Sequence, residues 1–166
     1  MTPLVITAHT VLPTPLGDLR LATTAHGLAG AWFVQDQRDA PDATAWPVPA
    51  DAGSHPTLAA AAQQLTAYFN GQRSVFDLPL DLSAGTAFQQ AVWQALCSIA
   101  TGQSQSYGDV ATRIGRPRAV RAVGAAVGAN PLSIIVPCHR VLGASGALTG
   151  YAGGLARKVA LLRLEG

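Results

Sequence analysis

The residues best suited to chemistry lie in the run Pro137-Cys138-His139-Arg140, which follows three β-branched residues at positions 134–136. Proline cannot donate to a strand ladder and favours an extended residue before it, so the run predicts a strand that ends at Pro137 and leaves Cys138 at a corner. The thiolate is the nucleophilic form of cysteine, and nearby cations lower a thiol pKa from about 8.5. His139 and Arg140 are candidates for that effect. We therefore predict a nucleophilic thiol, and these residues alone leave open a buried, unreactive cysteine.

Composition limits the class of protein that the chain can be. A length of 166 residues with 49% hydrophobic content fits one domain or two small ones with a real core. Cys97 and Cys138 form no CxxC pair, which argues against a disulfide framework or a cysteine-rich zinc site, and Cys97 is predicted to be a core residue. No apolar run approaches the roughly 18 residues that a membrane span needs. We expect a soluble, cytoplasmic protein without membrane contact.

Charge is distributed unevenly along the chain. Residues 1–84 carry three arginines against seven aspartates, a net charge of minus four. Residues 85–166 carry seven arginines and Lys158 against Asp109 and Glu165, a net charge of plus six. A positive half is what a polyanion such as nucleic acid requires, because phosphate contacts supply most non-specific affinity. The alternative is a solvated basic surface.

The first half has the pattern of a small α/β unit. Alternation predicts strands near residues 4–6, 19–23 and 29–34, with a turn at His26-Gly27. An aperiodic, proline-rich stretch at 35–56 indicates a surface loop, and 57–70 has helical spacing that ends at Asn70-Gly71. Residues 75–78 are a weaker strand prediction. We interpret His9, His26 and His55 as surface or turn residues rather than ligands.

The second half has the pattern of a helix-turn-helix unit. We place a domain boundary at residues 81–85, where the charge changes sign. Thr86 with Gln89, and Ser106 with Asp109, have the spacing of capping boxes that begin two helices. Gly115-Arg116-Pro117 breaks the second of these helices, and Pro117 suits the first turn of another. The apolar residues predicted to face the core from that last helix are Ala119, Val120, Val123 and Val127.

The exposed side of this last helix combines arginines with small residues. Arg118 and Arg121 are one helical turn apart. Glycine in a helix costs about 1 kcal/mol relative to alanine, so glycines in this helix need a reason other than helix propensity. The small residues beside the two arginines are Ala122, Gly124, Ala125 and Gly128. Such a surface lets a bound molecule approach the backbone closely, which favours nucleic acid; close helix packing in the core is the alternative.

Six ordered blocks of the second half resemble the O6-alkylguanine-DNA alkyltransferases, also called methylated-DNA–protein-cysteine methyltransferases. The blocks are Ser106-Tyr107-Gly108, Arg121-Ala122-Val123-Gly124, Asn130-Pro131, Pro137-Cys138-His139-Arg140-Val141, Gly150-Tyr151-Ala152-Gly153-Gly154-Leu155 and Leu161-Leu162-Arg163-Leu164-Glu165-Gly166. The resemblance implies an α/β fold with a small ribonuclease-H-like N-terminal domain at 1–82. It also implies a C-terminal winged helix-turn-helix domain at 86–166.

The resemblance also implies roles for individual residues. Cys138 would accept the alkyl group from guanine O6 irreversibly and once per molecule, with His139 as base through a water and Glu165 orienting His139. Tyr107 would crowd the phosphate and protonate the leaving base, and Asn130 would tie the turn to the cysteine. Arg121 would fill the place of a flipped nucleotide. The implied DNA surface is Arg121, Arg118, Ala122, Ala125 and Gly128, and the implied substrate pocket is Val136, Pro137, Tyr151, Ala152 and Gly153.

Two departures and several alternatives accompany the resemblance. Some members bind zinc through N-terminal cysteines, which this chain lacks, so we expect no zinc and no cofactor. Ala152 stands where some members have serine. The expected partner is double-stranded DNA that contains O6-alkylguanine, with O4-alkylthymine as a further substrate, and the expected state is a monomer. The alternatives are a lesion-binding protein without transfer activity, a helix-turn-helix regulator with an incidental thiol, and a cysteine hydrolase.

Overall fold

An antiparallel sheet of order β1-β2-β3 forms the first half of the chain, from strands Ala8–Leu12, Leu19–Thr24 and Gly27–Phe33. The structure, a computed structural model, describes residues 3–166, so Met1 and Thr2 of the predicted first domain lie outside it. Helix α1, Pro56–Phe69, packs on all three strands through a buried stripe of Leu58, Ala61, Leu65 and Tyr68. The strand predicted at 4–6 is wrong, because pairing with β2 begins only at Ala8. His9 is buried and not at the surface, since its Nε2 meets the Pro47 carbonyl at 2.5 Å.

The loop predicted at 35–56 is present up to residue 55, where α1 follows, and it contains one short 3₁₀ turn at Ala52–Ser54. The strand predicted at 75–78 is wrong. A side-chain amide on α1 takes the hydrogen bonds that a neighbouring strand would supply: Gln64 Nε2 donates to the Asp77 carbonyl at 2.9 Å, and Asp77 N–H donates to Gln64 Oε1 at 2.8 Å. The segment is therefore extended but held by a helix.

The second half is built on helices α2, Ala87–Cys97, α3, Tyr107–Arg113, α4, Val120–Gly128, and α5, Leu155–Glu165. Both predicted capping boxes are formed, at Thr86 and at Ser106. Short strands β4, Gln105–Ser106, and β5, Val141–Leu142, pair in parallel. Helices α3 and α4 form the predicted helix-turn-helix pair and pack on α2.

Three details of the second half differ from the sequence prediction. Helix α4 begins at Val120, so Pro117 and Arg118 lie in the turn before it. Val120 is 41% exposed rather than buried, because the later start places it in the first turn of the helix at the surface. Cys97 is also exposed and is not a core residue, because it is the last residue of α2 and lies beside the buried stripe.

The far edge of β3 forms backbone hydrogen bonds with segments from both halves of the chain. Leu28 N–H donates to the Pro79 carbonyl, and Ala31 N–H donates to the Pro131 carbonyl, both at 2.8 Å. The segments at 79–81 and 131–133 thus satisfy backbone groups that an edge strand would leave unpaired. Buried side chains of the two halves form one continuous cluster. Across residues 3–166, no helix is long and apolar enough to cross a membrane.

Trp93 fixes α4 against α2 and gives a test of this packing. It is 3% exposed, and its Nε1–H donates to the Ala126 carbonyl at 2.8 Å. Trp93→Phe removes the donor and is expected to lower the free energy of unfolding by about 1–3 kcal/mol. Chemical denaturation measures the change. Trp46→Phe, on the loop, is the control and is expected to change it far less; equal losses would contradict the assignment.

Candidate active site

Cys138 lies on a buried turn rather than at the end of a strand. Ile134 has a φ of 73°, in the left-handed region that a β-branched residue seldom adopts. Such a conformation costs about 1–3 kcal/mol and persists only where its surroundings impose it. The chain then turns tightly, with Val136 N–H donating to the Leu132 carbonyl at 2.9 Å, and enters a 3₁₀ turn at Cys138–Arg140. The predicted strand at 134–136 is wrong, because the apolar run is buried as a turn.

Asn130 holds this turn from inside. Its Nδ2 donates to the Val136 carbonyl at 2.8 Å, and its Oδ1 accepts from Leu132 N–H at 3.0 Å. The residue is 4% exposed, so no solvent can replace these bonds. Its position agrees with the predicted role of tying the turn to the cysteine.

The carboxylate of Glu165 is the centre of a buried network. Its Oε2 accepts from Tyr68 Oη at 2.6 Å, His139 Nε2 at 2.7 Å and Arg140 Nη2 at 2.9 Å. Its Oε1 accepts from Arg140 Nε at 2.8 Å. Burial alone would raise the pKa of Glu165, but hydrogen bonds from His139 and Arg140 outweigh burial and lower that pKa to about 2. Glu165 is therefore a carboxylate, and its side chain is only 2% exposed although it ends the last helix.

The charge on Glu165 fixes the proton on the histidine. A carboxylate only accepts hydrogen bonds, so Nε2 of His139 carries a hydrogen. Burial lowers the pKa of His139 despite the opposing effect of Glu165, which favours the neutral ring. A neutral ring with hydrogen on Nε2 has its free lone pair on Nδ1. That atom is buried without a hydrogen-bond partner among the described residues, so it is the nitrogen able to accept a proton.

The cation that acts on Cys138 is not the predicted one. Burial raises the pKa of the Cys138 thiol to about 11, and the positive charge of Lys158 opposes that rise. Lys158 is fully buried on α5, where its ammonium donates to the Val141 carbonyl at 2.7 Å and the Thr149 carbonyl at 3.1 Å. Arg140 instead donates to Glu165 and to the Ile99 carbonyl. The expectation that Arg140 activates the thiol is wrong, because its charge is matched by a carboxylate.

Cys138 opens onto a cavity of about 180 Å³. The cavity brings together the predicted Tyr107, Asn130, Tyr151 and Ala152 with the cysteine. Tyr107 Oη lies 3.0 Å from Thr149 Oγ1, which joins α3 to the loop before α5. Predicted pocket residues Val136, Pro137 and Gly153 do not line it; Pro137 faces a separate cavity behind the turn. Arg38, from the first half of the chain, does line it, and its N–H donates to the Ala152 carbonyl at 3.2 Å.

The surface of α4 beside this cavity is open. Arg121, Ala122 and Ala125 are exposed, and Arg118 is exposed in the preceding turn. A Cβ added to Gly128 would meet no atom within 4 Å, and one added to Gly124 would only reach ordinary contact with Tyr107 at 3.8 Å. Packing inside the protein therefore does not require either glycine, and the core-packing alternative loses its support. Within the described part of the chain, no group of three or more potential metal-ligating residues occurs.

Two protein-family models match the chain in sequence order. Residues 8–82 match "6-O-methylguanine DNA methyltransferase, ribonuclease-like domain". Residues 87–166 match "6-O-methylguanine DNA methyltransferase, DNA binding domain". The predicted fold class, a ribonuclease-H-like domain followed by a helix-turn-helix domain, is confirmed by these matches and by the structural likeness that follows.

Relatives and solved structures similar to the chain carry related descriptions. A methylated-DNA–protein-cysteine methyltransferase of Mycobacterium tuberculosis is 48% identical over 157 residues, which cover 95% of this chain and 91% of that protein. The protein of the same description from Methanosarcina mazei is 44% identical over 155 residues, covering 93% and 94%. The crystal structure of Mycobacterium tuberculosis OGT in complex with DNA superposes with a TM-score of 0.84 at 46% identity, covering 96% of this chain and 92% of that one.

Replacing Glu165 tests the buried network. Glu165→Gln leaves Arg140 buried without a matching charge, so the free energy of unfolding at neutral pH is expected to fall by about 3–5 kcal/mol. Because the folded-state pKa of Glu165 is depressed, its stabilisation is complete above the ordinary value of 4.5 and is lost as pH falls toward about 2. The difference between the wild type and the variant should therefore shrink across that window.

Denaturant titration of both proteins at a series of pH values measures this difference. Asp77→Asn, which removes an exposed carboxylate, is the matched control and should be nearly neutral throughout. A stability difference that stays constant from neutral pH down to the acid limit would show that Glu165 is not the compensated buried anion described above.

Proposed function

The chain belongs to the 6-O-methylguanine DNA methyltransferase family and repairs DNA by direct reversal of alkylation, and from this premise we propose that Cys138 is the residue that takes the alkyl group from O6-alkylguanine. The observation that carries the proposal is the juxtaposition of one thiol, one base nitrogen and one cavity. Cys138 lines the cavity, and the neighbouring His139 has a buried, unpartnered Nδ1 while Glu165 holds its other nitrogen.

The reaction needs the thiol proton to leave as sulfur attacks. At rest the thiol is protonated, because burial raises its pKa to about 11. His139 Nδ1 accepts that proton through an intervening water, and Glu165 stabilises the imidazolium that forms. A sulfur–carbon bond forms, the carbon–O6 bond breaks, and its electron pair stays on the guanine. Tyr107, which lines the cavity, donates a proton that makes the leaving base neutral.

The product is a thioether, which no base or thiol in the site displaces. Each molecule therefore acts once, and the protein is consumed in proportion to the lesions that it repairs. O4-alkylthymine presents the same oxygen-bound alkyl carbon, and we include it as a second substrate. No cofactor takes part in these steps.

DNA reaches the site across α4. The alkylated oxygen is inaccessible in a stacked duplex, so the nucleotide must rotate out, at a cost of a few kcal/mol. Arg121 fills the vacated position, and Arg118 neutralises phosphate beside it. Ala122, Ala125 and Gly128 allow the DNA backbone to approach the helix closely. We propose that the functional unit is a monomer on double-stranded DNA in the cytoplasm.

A lesion-binding protein without transfer activity is the second candidate. The same helix surface would serve it, but such a protein needs neither a nucleophile nor a histidine held between a carboxylate and a free lone pair. The Cys138 and His139 arrangement therefore favours transfer.

Mass mapping tests the acceptor. After incubation with a duplex that contains O6-methylguanine, we expect one methyl group per molecule on the peptide with Cys138, and none on the peptide with Cys97. Cys97 is the internal control, because it is exposed and does not line the cavity. Cys138→Ser should bind the duplex but transfer nothing. Methylation elsewhere, or repeated turnover, would reject the proposal.

Arg121→Ala tests the path by which DNA enters. Loss of the contact that replaces the flipped base should slow single-turnover transfer from duplex DNA by roughly tenfold or more, in line with about 1–3 kcal/mol for a specific arginine contact. Transfer from a single strand, where no stacked partner must be replaced, should slow much less. Arg163→Ala removes an equal charge from exposed α5 surface and is the control. Equal slowing on both substrates would contradict the role.

A further inference from the structure

We propose that Tyr68, on helix α1 of the N-terminal domain, is a positioning residue that sets the base strength of His139 by donating a hydrogen bond to Glu165. The proposal rests on the function proposed above, in which His139 accepts the proton of Cys138. It makes the N-terminal domain a participant in the transfer step.

The geometry places Tyr68 and His139 on the same oxygen. Tyr68 Oη lies 2.6 Å from Glu165 Oε2, and His139 Nε2 lies 2.7 Å from that atom. The two donors come from parts of the chain separated by about 70 positions in sequence and meet on a third element, α5. Tyr68 is thus in direct contact with the carboxylate that orients the base, although its side chain does not line the cavity with Cys138.

Packing alone does not account for a tyrosine at this position. The ring of Tyr68 is 3% exposed and lies against Phe69 and Phe76, with ring centroids 5.3 and 5.5 Å away. A phenylalanine would fill that space without a hydroxyl, and a buried hydroxyl without a partner is destabilising. The partner of the Tyr68 hydroxyl is the Glu165 carboxylate, at 2.6 Å, so the effect of the hydroxyl is exerted on that charge.

Because Tyr68 and His139 donate to the same Glu165 oxygen, the direction in which Tyr68 changes the basicity of His139 can be derived. A hydrogen bond from Tyr68 draws electron density from Glu165, so the carboxylate stabilises the imidazolium form of His139 less strongly. His139 then stays neutral to lower pH and is ready to act as a base. Burial and the contact with Glu165 both raise the pKa of Tyr68, so the phenol remains a donor throughout the working range.

Other charged and titratable groups act on the same ring from several elements and remain unchanged in the test. Glu165 and Lys158 face it from α5, and Arg140 and Cys138 adjoin it on the turn. Tyr151, near Cys138, has a pKa raised by burial and stays neutral. Only the donor from α1 differs between the proteins compared below.

The test compares the pH dependence of single-turnover transfer at saturating O6-methylguanine duplex, from about pH 5 to pH 8. In Tyr68→Phe the ring packing is kept and His139 becomes more basic. The acid limb of the profile should move to higher pH by about half a unit, which is roughly threefold slower transfer at a fixed pH on that limb, while the plateau is retained. Thr66→Val removes a hydroxyl from the exposed side of the same helix and should leave the profile in place.

Replacing Tyr68 with a fluorinated tyrosine should shift the acid limb of the pH profile in the opposite direction. It keeps the hydroxyl and the ring but is a stronger donor, so the acid limb should move to lower pH. This second variant also covers the case in which Tyr68→Phe does not fold, which its thermal unfolding would reveal. Opposite shifts in the two variants support the proposal.

A profile that superposes on the wild type, or a loss that is uniform across pH, overturns it. Either result leaves the proposed function intact as long as the wild type alkylates Cys138. If the wild type itself transfers nothing to Cys138, the proposed function fails first, and the two failures are distinguishable in one experiment.

Discussion

Burial of the Glu165 carboxylate is the constraint on which the site depends. A charge removed from water is tolerated only when its lone pairs are satisfied, and here four hydrogen bonds from three residues satisfy them. The donors come from two places: Tyr68 lies on α1, and His139 and Arg140 lie on the 3₁₀ turn, where Arg140 also donates to the Ile99 carbonyl. Because none can shift without leaving the anion exposed to apolar surroundings, the orientation of His139 is set by the whole fold.

The same burial explains why Cys138 is a protonated thiol at rest. It raises the pKa of Cys138, lowers that of His139, and so disfavours a standing thiolate–imidazolium pair. Lys158 offsets part of the penalty from α5 without touching solvent. In the transfer that we propose, the thiol proton leaves as the sulfur lone pair forms its bond to the alkyl carbon. Oxidants react mainly with thiolate, so a cysteine with the role that we propose for Cys138 is protected while it stays protonated.

The sequence was sufficient where local chemistry decides structure. Capping boxes at Thr86 and Ser106 placed two helices correctly, because such caps depend on residues three positions apart. Sequence reasoning failed where distant residues decide the local conformation. The predicted strand at 75–78 is absent because Gln64 forms hydrogen bonds with the backbone of Asp77, and the apolar run at Ile134, predicted as a strand, is a buried turn. Tyr68 and Arg38 gave no local signal, since their partners lie far along the chain. Lys158 did give a local signal, because it is the single lysine on an apolar helical stripe, but its burial beside Cys138 was not predicted.

The strained turn at Ile134 depends on supports from both halves of the chain. Ile134 adopts its left-handed conformation between Asn130, which binds the Val136 carbonyl, and β3, which pairs with residues 131–133. Removing either support would free the backbone to relax toward the extended conformation that its β-branched residues prefer. Relaxation would carry Cys138 and His139 away from the cavity and from Glu165 together. The N-terminal sheet therefore supplies the edge against which the turn that carries Cys138 is held, and α1 supplies a hydrogen-bond donor to Glu165.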